Sequence, residues 1–89
     1  MKEVEAEIER AILDLLSQRK TGATICPSEA ARIVKPKSWR TLMEATRTVA
    51  RSLVKAGEIE VCQKGAVVDA ETAKGPIRLR LAAKSAESR

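Results

Sequence analysis

The stretch Pro27-Ser28-Glu29-Ala30-Ala31-Arg32-Ile33-Val34-Lys35-Pro36-Lys37-Ser38-Trp39-Arg40-Thr41-Leu42-Met43 holds two helix starts with one break between them. Proline suits the first turn of a helix, because its missing N–H would have no partner there anyway. Pro27 therefore predicts a short helix running to about Val34, with Ala30, Ile33 and Val34 as its apolar side. Pro36 disfavours helical backbone in the residue before it, and Ser38 is a natural N-cap for a further helix. In that helix Trp39, Leu42, Met43, Thr46, Val49, Ala50, Leu53 and Val54 stack on one side until Gly57 stops it. Two helices joined by a short proline-containing turn are the core of a helix-turn-helix.

Working outward, residues 3 to about 19 carry Val4, Ile8, Ala11, Ile12, Leu15 and Leu16 at the spacing of one buried helical stripe. Glutamates crowd its first turn, Arg19 and Lys20 its last, and Gly22 is placed to cap it. Thr24-Ile25-Cys26 is too short for a helix and reads as a brief strand. Beyond Gly57 the period changes from 3.6 to 2. Ile59, Val61 and Gln63 alternate with Glu60, Cys62 and Lys64, Gly65 marks a turn, and Val67 and Val68 resume an apolar run. A polar loop covers Asp69 to Gly75, and Ile77, Leu79 and Leu81 then alternate with Arg78 and Arg80.

The order helix, short strand, helix, helix, strand, strand predicts an α+β fold, mainly α. It is a winged helix-turn-helix of three helices with a small antiparallel sheet, whose wing spans about residues 64–75. Residues 1–81 form the domain and 82–89 are expected to be a disordered tail. The segment Thr24 to Cys26 would be the third strand, pairing with the hairpin.

At 89 residues the chain allows one domain, and with one Trp, no Phe and no Tyr its core must be aliphatic. No stretch approaches the roughly 20 apolar residues of a membrane span, and an acidic helix follows Met1, so a cytoplasmic protein without membrane contact is expected. Cys26 and Cys62 form no CxxC pair, and there is no His. Zinc-finger and redox-motif readings fall away, and both are taken as reduced thiols. Cys26 sits where a helix N-terminus would favour a thiolate, but no general base accompanies it, and it reads as a packing residue. Gly22, Gly57, Gly65 and Gly75 are isolated turn residues, not a phosphate-cradling loop. No enzyme, cofactor, metal or small-molecule ligand is therefore expected.

Charge is the informative feature. The formal net charge is +5, but residues 1–10 carry four acidic and two basic side chains, whereas residues 35–55 carry six basic and one acidic. At about 100° per residue, Lys37, Arg40, Glu44, Arg47, Arg51 and Lys55 would fall within roughly 80° on the third helix, nearly opposite its apolar side. In a helix-turn-helix that face meets the major groove, where Arg can bond guanine edges or phosphate. Lys37, Arg40, Arg47 and Arg51, with Lys64 and Lys74 at the two ends of the wing, are the candidate duplex-DNA contacts. Arg47 and Arg51 are expected to contribute little to folding.

The plainer alternative is a solvated face, since Glu44 lies in the same stripe and Asp69 and Glu71 occupy the middle of the wing. Those acidic interruptions favour the rival reading, a winged helix that docks on a protein partner. Arg78 and Arg80 read as outward-facing cover for the sheet. Trp39, a lone aromatic on an apolar stripe, reads as core. No heptad seam offers a dimer helix, so a monomer is the default.

Ile25-Cys26-Pro27-Ser28-Glu29-Ala30-Ala31-Arg32, Trp39-Arg40-Thr41-Leu42-Met43, Gln63-Lys64-Gly65 and Gly75-Pro76-Ile77-Arg78-Leu79-Arg80 together resemble a family of small bacterial proteins of unknown function. The resemblance covers nearly the whole chain except its ends and implies a winged-helix-like fold. It implies no activity. The Lys35-Pro36-Lys37 connection departs from the family pattern.

Overall fold

In the computed structural model, which describes residues 3–82, the acidic N-terminal segment is helix α1 (Glu3–Ser17). Ile8, Ile12 and Leu16 recur along one side of it and are at most 2% exposed. The helix stops short of Arg19: the N–H groups of Gln18 and Arg19 donate to the Leu15 and Leu16 carbonyls, the tighter pattern frequent at helix ends. Gly22 consequently caps no helix. It lies in the turn Lys20–Ala23 that leads into strand β1 (Thr24–Ile25).

Helix α2 spans Pro27–Val34, as its proline predicts. The Cys26 N–H donates to the Glu29 carboxylate at 2.8 Å, and the other oxygen of that carboxylate accepts from Arg19 at 2.7 Å. One side chain thus satisfies an otherwise unpaired N-terminal donor and ties the end of α1 to the start of α2. The buried side differs from the expected one. Ala30 and Ala31 are fully buried, whereas Ile33 is 56% exposed. Two adjacent alanines let the helix lie close to its neighbours, and residues 31 and 33 are about 200° apart around a helix, so burying Ala31 turns Ile33 outward.

Lys35 to Ser38 form a turn closed by the Ser38 N–H on the Lys35 carbonyl, with Pro36 at the position where its fixed φ is favoured. The expected third helix then begins as a 3₁₀ turn (Trp39–Leu42) and becomes α-helical only over α3 (Met43–Lys55). The Ser38 hydroxyl does not cap it. Instead the Ser38 carbonyl accepts from both the N–H and the Oγ1 of Thr41. At three residues per turn the 3₁₀ segment breaks the α-helical phase, and Trp39 is half-buried where a core position was expected. Helix α3 ends in a Schellman motif: Glu58 N–H donates to Leu53 O, Gly57 N–H to Val54 O, and Gly57 takes the left-handed φ of 79° that this cap requires.

The strands β2 (Ile59–Gln63), β3 (Ala66–Val68) and β4 (Arg78–Leu81) join β1 in one antiparallel sheet of order β1-β4-β2-β3. Four strands stand where three were expected, because the Val67-Val68 run pairs with β2 in a tight hairpin. Its two central residues, Lys64 and Gly65, both have positive φ, 52° and 83°, as a type I′ turn demands. Leu79 on β4 lies opposite Ile25 on one side and Val61 on the other, and all three are at most 1% exposed. This row and α1, α2 and α3 enclose the aliphatic core.

Three helices with a small antiparallel sheet make an α+β fold compatible with a winged helix. Among the described residues no helix is long and apolar enough to cross a membrane. Cys26 is half-buried and Cys62 buried, both as free thiols. Ala82, assigned from sequence to the tail, is buried and donates its N–H to the Glu58 carbonyl; residues 83–89 of that tail lie outside the described residues.

A lysine held at φ 52° costs roughly 1 kcal/mol that Asn, the favoured partner of Gly in this turn, largely avoids. Lys64→Asn should therefore raise stability by about 0.5–1 kcal/mol in urea unfolding. A loss of stability would contradict the turn geometry.

Candidate nucleic-acid interface

The polar loop between β3 and β4 is fastened by three successive carbonyls. The Gln63 side-chain amide, at the end of β2, donates to Lys74 O at 2.6 Å and to Pro76 O at 3.2 Å. Between them, Gly75 O accepts from Arg47 Nη2 of α3 at 2.9 Å. Asp69 shapes the start of the loop, its carboxylate accepting from the Glu71 N–H and its carbonyl from the N–H groups of Thr72 and Ala73. Lys55 at the end of α3 reaches Glu71 at 3.7 Å, with both side chains exposed. The loop therefore lies along the basic side of α3.

This placement separates the sequence candidates. Arg47 is half-buried and donates to Gly75 O, a bond that links α3 to the loop. Arg51, one turn on, is half-buried and donates to Thr48 Oγ1 at 3.2 Å. Lys64 in the hairpin turn and Lys74 in the loop are exposed. The Gln63 bond to Lys74 O brings these two lysines to one end of the sheet. Lys37 and Arg40 are also exposed. They belong to the turn and the 3₁₀ segment ahead of α3, so the single helical stripe is broken at its N-terminal end. Arg40 has its guanidinium carbon 4.6 Å from the centre of the Trp39 ring, and Arg32 of α2 sits at 4.5 Å from the same ring.

Glu44 is exposed, and its carboxylate takes part in no ion pair among the described residues; only its backbone carbonyl is engaged, by Thr48 Oγ1. On the outer face of the sheet, Arg78 donates to the Oγ1 and carbonyl of Thr24. Arg80 donates through two nitrogens to one oxygen of its cross-strand partner Glu60, at 2.7 and 3.1 Å. That bond, helped by the nearby Cys62, holds the Arg80 guanidinium above its ordinary pKa. Both arginines are cover for the sheet, with bonds across its strands in addition to their stems.

Two side chains with long-range contacts escape sequence reasoning. Gln63 looks like an ordinary strand residue, because its partners are backbone carbonyls eleven and thirteen positions away. Arg32 stands seven residues before Trp39, and only the intervening turn brings it to the ring.

Removing a buried or half-buried donor from a carbonyl it serves costs on the order of 1–2 kcal/mol. Gln63→Leu should destabilise by about that amount and speed proteolysis within residues 69–75, and Arg47→Ala should do the same more weakly. Wild-type urea midpoints and cleavage rates in both variants would contradict the fastening role.

No curated protein matches the sequence. A family model described as a protein of unknown function (DUF3253) matches residues 5–82, from the first turn of α1 to the buried Ala82 that closes the sheet. With the whole of the helical core and the sheet inside that match, the chain belongs to the DUF3253 family of proteins of unknown function.

Proposed function

We propose that this protein is a non-enzymatic winged-helix module of the cytoplasm that binds duplex DNA, chiefly through the phosphate backbone. Lys37, Arg40 and Arg51 would contact it from the helical side, and Lys64 and Lys74 from the hairpin and loop. The observation that carries the reading is the distribution of ion pairs. Arg19, Lys55 and Arg80 are each matched to a carboxylate, whereas these five cations have none among the described residues. An uncompensated set of cations along a helix-turn-helix and hairpin suits a polyanion, because each neutralised phosphate releases condensed counterions. The lack of His and of a glycine-rich phosphate loop argues for contact without chemistry.

A second reading, docking on a protein partner, has its own support. Val67 on the edge strand β3 is 55% exposed and Ile33 on α2 is similarly open, and an unpaired strand edge is a template for another chain.

Five phosphate contacts imply a log–log slope of affinity against salt of about −4 to −5. Fluorescence anisotropy with random-sequence duplex should give that slope. Replacing Arg51, Lys64 and Lys74 together by Ala should make it shallower by about 2 to 3. Absence of salt-sensitive binding by the wild type at low ionic strength would remove the nucleic-acid reading and leave the protein-docking one.

A further inference from the structure

We infer that the connection between α2 and α3 carries a phosphodiester cradle, formed by Arg32 and Arg40 held on the Trp39 indole with Lys35 and Lys37 beside it. The inference rests on the nucleic-acid reading and names the part of the ligand held at the N-terminal end of α3.

Two guanidiniums share one ring. Their central carbons lie 4.5 and 4.6 Å from its centroid, and so no more than about 9 Å from each other, a separation at which exposed charges still interact at moderate salt. Like charges so placed repel. Residues 30–43 contain four basic side chains and no acidic one; of the two carboxylates that flank them, Glu29 is taken by Arg19 and Glu44 makes no ion pair among the described residues. Neither Arg32 nor Arg40 enters an ion pair or a side-chain hydrogen bond among the described residues, whereas Arg19, Arg47, Arg51, Arg78 and Arg80 all do.

Covering the half-buried indole would require only the stem of one long side chain. Cation–π attraction holds each guanidinium at the ring, and the two together concentrate positive charge where a phosphate can be met. Stacking restrains a guanidinium while leaving its N–H fork free, and that fork matches the paired oxygens of a phosphate. The partner must also be a polymer. The cradle is open to solvent, where one small anion is weakly held, but a strand also held by Lys64 and Lys74 binds both ends as one event.

Trp39 is the only aromatic side chain in the protein and so reports on the cradle directly. Acrylamide quenching of its emission should be followed in wild-type protein with random-sequence duplex, in parallel with anisotropy. A second titration should use inorganic phosphate at the same phosphate concentration. Saturating duplex should lower the quenching constant at least twofold, and inorganic phosphate should leave it unchanged. The variant R32Q/R40Q, with its thermal midpoint measured alongside, should lose tenfold or more in affinity near 100 mM salt, with a slope shallower by about 1, because the two arginines share one phosphate.

Unchanged quenching when anisotropy shows saturation, or wild-type affinity and slope in R32Q/R40Q, overturns the cradle while leaving DNA binding intact. Equal protection by inorganic phosphate overturns the polymer claim. If the wild type binds no duplex, the cradle falls together with the reading it rests on. Should R32Q/R40Q unfold, the wild-type quenching result decides alone.

Discussion

Leu79 sits in register between Ile25 and Val61, and this row of three buried side chains is the contact on which the fold closes. β1 belongs to the helical half of the chain and β2 to the hairpin half, and β4 is the strand that pairs with both. Without it the hairpin would join the helical half only through the Schellman turn and the packing of Ile59 and Val61 on the core. With no Phe or Tyr and the one Trp at the edge, the core depends on such aliphatic rows. Truncating a buried leucine of this kind typically costs about 2–5 kcal/mol, a large part of the stability of a small domain. Closing the sheet also sets where β3 and its following loop can go, and so fixes the surface beside α3.

On that frame the charged side chains divide into different kinds of work. The Arg19–Glu29 and Arg80–Glu60 pairs are short and half-shielded, and they join neighbouring elements. The Lys55–Glu71 contact is long and exposed, in the class that contributes roughly 0–1 kcal/mol. It cannot hold the loop. The bonds from Gln63 and Arg47 to three consecutive carbonyls do, since they satisfy backbone groups that have no strand to pair with. Of the remaining cations, Arg32, Lys35, Lys37 and Arg40 lie at the α2–α3 connection and Lys64 and Lys74 at the hairpin end, with Arg10, Lys20 and Arg51 elsewhere among the described residues. From Arg40 in the 3₁₀ segment to Arg51 of α3 is about 18 Å at the rises of the two helix types.

The sequence reveals what depends on local chemistry. Pro27 marks the start of α2, the change of period at Gly57 separates helix from strand, and Ile8, Ile12 and Leu16 announce the buried side of α1. It fails where a long-range contact outweighs a local preference. Ile33 is the more hydrophobic candidate, yet close packing selects Ala31. Ser38 has the right side chain for a cap, yet its carbonyl takes the bonds in a 3₁₀ turn. Val67 and Val68 read as an apolar run after the Gly65 turn, but a run so short shows itself as a separate strand only in its pairing with β2. The basic helix and the wing lysines are visible in the composition of residues 35–55 and 64–75, but the commitment of Arg47 to Gly75 is not, because nothing in a sequence records which carbonyl lacks a partner. The Arg32–Trp39–Arg40 grouping escapes for the same reason, its members coming from two helices.

Among the cations without a carboxylate partner, those of the α2–α3 connection, Arg51 of α3, and Lys64 and Lys74 at the hairpin and loop are proposed to form one face for a phosphate backbone. Nuclear magnetic resonance of the nitrogen-15-labelled protein during titration with random-sequence duplex tests it most directly. The Trp39 indole N–H, the Nε–H groups of Arg32, Arg40 and Arg51, and the backbone amides of Lys64, Gly65 and Lys74 should shift and saturate together, with Arg78 and Arg80 unmoved. Shifts confined to α1 or to the outer face of the sheet around Thr24 and Glu60, or no shifts at low salt, would contradict it.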